Sequence, residues 1–191
     1  MSAYDYPLLI KNLLLVPTRQ PTRNQIIYRD VSRYDYATFG QRVARLGSAL
    51  AKLGVRPGDV VAVLDWDTPR YLECFFAIPM LGAVLQTVNV RLSPDQIRYT
   101  IDHAGAKVAL CHADFAPVLA AIRDGLPNLT EVVGLTDGGA LPTDVAWDGE
   151  YEQLLAAGDP AHEFPDFDEN TRATTFYTTG TTGLPKGVYF T

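Results

Sequence analysis

Apolar residues recur along this chain with two periods, and the two alternate. In "YATFGQRVARLGSALAKLG" the positions Phe39, Val43, Leu46, Leu50 and Leu53 fall at steps of three and four, which puts them on one face of a helix. Gly54 and the "RPGD" turn end that segment. "VVAVLDW" follows as a continuous apolar run of strand length, the pattern of a strand buried on both faces. "TPRYLECFFAIPMLG" predicts a second helix, capped by Thr68, with Pro69 in its first turn, a kink or end at Pro79 and a stop at Gly82. "AVLQTV" predicts another strand. "SPDQIRYTIDHAG" predicts a helix with a Ser93–Gln96 capping box, Pro94 at its first position, Ile97 and Ile101 inward and Gly105 as the stop. "KVALC" and "EVVGL" read as strands on either side of a helix in "DFAPVLAAIRDGL", with Phe115, Val118, Leu119 and Ile122 inward.

Strand and helix thus alternate at least three times. Units of this βαβ kind build an α/β fold, with a largely parallel sheet and flanking helices. Residues 136–168 break the rhythm. Rich in Gly, Pro and Asp, they predict a surface excursion with one short helix around "YEQLLAAG". The N-terminal run "PLLIKNLLLV" is too short to span a bilayer and is interrupted by Lys11 and Asn12. Without the basic start and cleavage site of a signal peptide, it predicts an amphipathic helix lying on the domain.

Composition adds little to this picture but removes some functions. With 47% hydrophobic and 20% charged residues, the 191-residue chain can bury a core. A net charge of −6 gives no electrostatic reason to expect nucleic acid or an anionic membrane as partner. Cys74 and Cys111 sit inside apolar runs without Cys/His spacing, which argues against structural zinc and fits a reducing cytoplasm. Homo-oligomers are left open.

The candidate chemistry lies in "TTFYTTGTTGLPKGVYFT". Two β-prone runs flank "TGTTGLPK", which is too long for a two-residue hairpin turn. Gly180 and Gly183 permit backbone shapes closed to other residues and let the main chain approach a ligand. Successive N–H groups in such a loop can converge on an anion. Thr178, Thr179, Thr181 and Thr182 add hydroxyls, and Lys186 adds a full charge behind the rigid Pro185. Together with Leu184 these residues compose a candidate phosphate-binding loop, Thr178–Lys186. It is not a Walker A loop, because Leu184 and Pro185 separate Gly183 from the lysine and Gly187 follows it. The plainer alternative is an exposed, flexible hairpin.

"YTTGTTGLPKGV" resembles the phosphate-loop signature of the adenylate-forming superfamily, and the preceding block "TPRYLECFFAIPMLGAVLQTVNVRLSPDQIRYTIDHAGAKVAL" is similar to that of fatty acyl-CoA synthetases. Thr179 stands where Ser is commoner and keeps the hydroxyl. Val90 stands where Pro is common and relaxes a turn. The resemblance implies a two-step reaction. ATP and a carboxylate give an acyl-adenylate and pyrophosphate, and the thiol of coenzyme A then displaces AMP. Medium- or long-chain fatty acids are the implied substrates, with aryl-acid CoA ligases and amino-acid adenylation domains as alternatives. Thr178–Lys186 would hold the ATP phosphates. In the family the Mg2+-binding acid, the adenine-binding segment and a small C-terminal domain with a catalytic lysine all follow this loop. Residues 1–191 are therefore expected to be the N-terminal part of the large adenylate-forming domain, with no catalytic residue assigned within them. Alone, they are expected to be inactive, to bind ATP weakly at most and to associate. The alternative of another class is a non-catalytic fragment that binds phosphate weakly.

Other polar residues have plainer explanations. Asp65 and Asp67 flank Trp66 and could hold Mg2+, but a strand end meeting a helix cap accounts for them better. His103 and His112 read as helix-end or surface residues, His162 as a loop residue, and both cysteines as buried small hydrophobes.

Overall fold

The computed structural model describes residues 6–20, 23–178 and 183–191. Chain order gives α1 (Lys11–Arg19), β1 (Gln25–Tyr28), β2 (Ser32–Asp35), α2 (Tyr36–Lys52), β3 (Val60–Leu64), α3 (Pro69–Met80), β4 (Val84–Thr87) and α4 (Pro94–Ala104). Then come β5 (Ala106–His112), a 3-10 turn (Ala113–Phe115), α5 (Ala116–Ile122) with a further 3-10 segment (Arg123–Gly125) at its end, β6 (Glu131–Leu135), β7 (Gly149–Glu150), α6 (Tyr151–Ala156), β8 (Thr174–Thr178) and β9 (Lys186–Phe190).

The sheet follows from side-chain alternation in its central strands. Along β3, Val61 and Val63 point to one face and Ala62 and Leu64 to the other, and both sets are buried. Val108 and Leu110 against Ala109 and Cys111 do the same in β5. A strand apolar on both faces needs helices on both. α2, α3 and α6 cover the first face through Phe39, Val43, Leu46, Leu50, Ile78, Tyr151 and Leu155. α4 and α5 cover the second through Ile97, Ile101, Leu119 and Ile122. Strand order is β7-β6-β5-β3-β4-β8-β9, parallel throughout except that β8 and β9 run antiparallel. The α/β fold with a largely parallel sheet is thus as the periodicity predicts.

Local signals mark most boundaries. Ser93 and Gln96 form the capping box of α4, and Gly105 closes that helix in the left-handed region at φ 69°. Thr68 caps α3, which runs through Pro79 to Met80 before Gly82 turns at φ 74°. Two expectations need correction, and one element was not anticipated. The N-terminal helix begins only at Lys11 and passes through Pro17 to Arg19. The antiparallel β1–β2 hairpin has no counterpart in the sequence reading. The stretch 136–168 is more than a surface excursion, because it contributes β7 to the sheet and buries Tyr151 and Leu155 of α6 in the core.

α2, α3 and α6 also share a buried charge. Glu73, with no exposed surface, accepts from Tyr34 Oη at 2.6 Å, Arg42 Nε at 2.6 Å and Tyr151 Oη at 2.6 Å. Arg42 reaches on to Glu152 with Nη1 and Nη2 at 2.8 and 2.7 Å. Burial, reinforced by the Glu73 carboxylate, pushes the Tyr34 and Tyr151 phenols well above their ordinary range. Burial opposes the charge on Arg42, but its carboxylate partners outweigh that and hold the guanidinium protonated.

Candidate functional site

In a parallel sheet the helices start at the carboxyl ends of the strands, and the crevice left there is where ligands bind. A cleft of about 400 Å³ opens at that end, beyond β3, β4 and β8. Asp65, Trp66 and Asp67 line it from the end of β3, Val88 to Arg91 from the end of β4, and Phe176 and Tyr177 from β8. Register fixes this grouping, since Thr87 pairs with Phe176. The Tyr177 hydroxyl lies 2.9 Å from His103 Nδ1 at the end of α4, which ties β8 to the second helical layer.

The candidate phosphate loop leaves β8 at this same end. Thr178 is the last residue of β8 and pairs across the hairpin with Lys186, the first residue of β9. Both are exposed. The lysine therefore belongs to a strand, and its position is set by the antiparallel ladder. Gly183 adopts φ 104°, the left-handed region that side chains disfavour, as expected of a loop glycine. Leu184 is 61% exposed, and Pro185 beside it is buried. Thr179, Gly180, Thr181 and Thr182 lie outside the described residues. Thr178, Gly183 and Lys186 thus end up at the carboxyl edge of the sheet, next to the cleft.

The remaining candidates fall out differently. Asp65 is buried and turned inward, accepting from the Trp66 N–H at 2.8 Å and from the Thr68 hydroxyl. It supports the cap of α3, and burial raises its carboxyl above the ordinary value despite the Thr68 bond. Asp67 faces the cleft instead. Among the described residues, no three His, Cys, Asp or Glu side chains gather as a metal site. Cys74 and Cys111 are buried free thiols, and burial pushes Cys111 up to about 12. His112 departs from expectation, since it is buried beneath the wall of the cleft. Its neighbours, the buried Arg70 and the exposed Asp137, form an ion pair that the sequence reading missed. The only advance signal was two charges, Arg70 and Glu73, on an otherwise apolar helix.

Fold and edge together define an α/β protein with a ligand crevice at the carboxyl end of a parallel sheet. Residues 16–191 match the family model of the AMP-binding enzymes, and the chain belongs to that family. It is 38% identical over 190 residues to a 3-methylmercaptopropionyl-CoA ligase of Ruegeria lacuscaerulensis, covering 96% of this chain and 35% of the relative. It is 40% identical over 172 residues to a long-chain-fatty-acid–CoA ligase of Thermus thermophilus, covering 88% of this chain and 30% of the relative. The fold superposes on the crystal structure of the anthranilate CoA ligase AuaEII with a TM-score of 0.87 at 24% identity, over 97% of this chain and 35% of that one. The chain spans about a third of the length of the relatives it matches. No helix among the described residues is long and apolar enough to cross a membrane.

Proposed function

We propose that this chain is the N-terminal part of the large adenylate-forming domain of an ATP-dependent acyl-CoA synthetase. The complete enzyme would activate a medium- or long-chain carboxylate as its acyl-adenylate, release pyrophosphate and pass the acyl group to coenzyme A. The observation that carries this reading is the Thr178–Lys186 pair at the root of a hairpin loop, beside a cleft at the carboxyl end of the sheet. Both relatives, named as CoA ligases of aliphatic acids, support the class.

In this reading residues Thr178 to Lys186 (Thr178, Thr179, Gly180, Thr181, Thr182, Gly183, Leu184, Pro185 and Lys186) surround the ATP phosphates. Pyrophosphate leaves as a polyanion, so donors fixed beside it stabilise charge as it develops. Lys186 supplies a full charge from a strand whose register holds it opposite Thr178. Gly183 turns the backbone back towards the sheet. Mg2+ would neutralise phosphate charge in the complete enzyme, with its ligands outside residues 1–191. Coenzyme A and the carboxylate act as co-substrates in the cytoplasm.

Lys186→Ala in the complete synthetase tests this reading. Loss of one charge-assisted contact slows ATP–pyrophosphate exchange by roughly ten- to a hundredfold, equivalent to about 1.5–3 kcal/mol. Exchange at the wild-type rate would remove the lysine from the phosphate site.

A further inference from the structure

Behind the wall of the cleft the buried His112 and Arg70 meet the exposed Asp114 and Asp137, in a polar cluster that serves neither the hairpin nor the hydrophobic core. His112, the last residue of β5, is 5% exposed. Its Nδ1 accepts from the Asp114 backbone N–H at 3.2 Å. In the neutral ring that leaves the proton on Nε2. Nε2 is buried with no hydrogen-bond partner among the described residues, and Asp137 Oδ1 lies 3.8 Å away. Asp137 is itself engaged by the Arg70 guanidinium and by the Tyr28 hydroxyl.

On the other side of the ring, Asp114 joins His112 to the cleft. Its Oδ2 accepts from Trp66 Nε1 at 2.8 Å. The same oxygen stands 3.5 Å from His112 Nδ1. Trp66 lines the cleft and otherwise rests on Phe115, with ring centroids 4.8 Å apart. A proton arriving on Nδ1 turns that atom from acceptor to donor. It then confronts the Asp114 N–H, which it can no longer accept, and faces the Asp114 carboxylate. The carboxylate can accept from both the neutral indole and the imidazolium, but charge-assisted hydrogen bonds are roughly twice as strong as neutral ones, so it moves towards the imidazolium at the expense of the indole contact.

We propose that protonation of His112 draws the Asp114 carboxylate away from the Trp66 indole and frees Trp66 from the cleft wall, making this corner a proton-operated latch. The charged and titratable groups facing the ring are Asp114 on the 3-10 turn, Asp137 after β6, Asp65 after β3 and Arg70 on α3. The latch holds whether or not the hairpin binds nucleotide, because its moving parts are Trp66, His112 and Asp114 alone.

Trp66 and Trp147 are the two tryptophans of the chain, so Trp147→Phe leaves a single emitter. Emission of that variant is followed from about pH 8 to pH 5, the range in which histidine ordinarily titrates. A single-proton red shift is expected as the indole loses its partner. His112→Asn keeps an acceptor for the Asp114 N–H without titrating, and Asp114→Asn keeps an acceptor for Trp66 without a charge. Both variants lose the shift while far-ultraviolet dichroism stays unchanged. A pH-independent Trp147→Phe spectrum, or a titration that survives in either variant, overturns the latch.

Discussion

Lys186 and Gly183 show how far single residues could be read in advance. The lysine stood out as a candidate because its type and its glycine and proline neighbours form an ordered set. Its location in a strand was not, because Lys186 opens β9 through register with Thr178, and register is a tertiary property. At Gly183 the φ of 104° makes a firm test. Gly183→Val puts a β-branched side chain in the left-handed region and costs about 1–3 kcal/mol. Chemical denaturation of the two chains measures it, and equal midpoints would deny the strain. Glu73 is the contrasting residue, a charge on an otherwise apolar helix whose buried partners nothing local could name. Glu73→Gln leaves Arg42 without its buried partner and Tyr34 and Tyr151 without a charged acceptor. A loss of about 3 kcal/mol is expected, and a denaturation midpoint within error of wild type would rule it out.

Elements were legible where a cap or a buried face announced them. α4 carries its whole signature between Ser93 and Gly105, so sequence and structure agree there to the residue. β1, β2 and β7 have two to four residues each, too few for any period to register. What holds them is their neighbours, as Tyr34 of β2 shows by reaching Glu73 on α3. α2 starts at Tyr36 as the sequence reading has it, but its cap went unnamed for a related reason. Its cap is Asp35, the last residue of β2, which accepts from the Thr38 N–H at 2.8 Å. That bond lowers the exposed carboxyl below its ordinary value of 3.8. The folded state therefore binds this proton less readily than the unfolded chain. The stabilisation is present above the ordinary value and is lost as pH falls through the lowered one. The Tm gap between wild type and Asp35→Ala is accordingly expected at neutral pH and closes below pH 3.8. A gap constant across that range would assign the cap no charge.

At the scale of the molecule, the sheet ends in two edge strands among the described residues, β7 and β9. β9 stands at an edge among the described residues, with Tyr189 56% and Phe190 60% exposed. An apolar edge strand offers unpaired N–H and C=O groups to another chain. The 191-residue chain is expected to self-associate, and Val188→Lys to shift it towards monomer in sedimentation velocity. Monomeric wild type at all concentrations would contradict this. The α/β class was legible at this scale because four apolar strand runs alternate with amphipathic helices. The cleft was not, since it is made by the ends of three strands and the residues that follow two of them, which only the sheet order brings together.

The Glu73 centre also bears on the order in which the chain assembles. Its partners lie far apart along the chain, Tyr34 at 39 residues before it and Tyr151 at 78 after. Contacts of such span repay their loop closure only once the strands between them have docked. The last polar contacts to form sit on the native side of the folding barrier, so they govern how long the fold persists once made. In Glu73→Gln the unfolding limb of the chevron rises on the order of a hundredfold while refolding hardly changes. Equal slowing of refolding would place the centre in the nucleus instead. A single buried carboxylate thus acts as a clock on the molecule's lifetime.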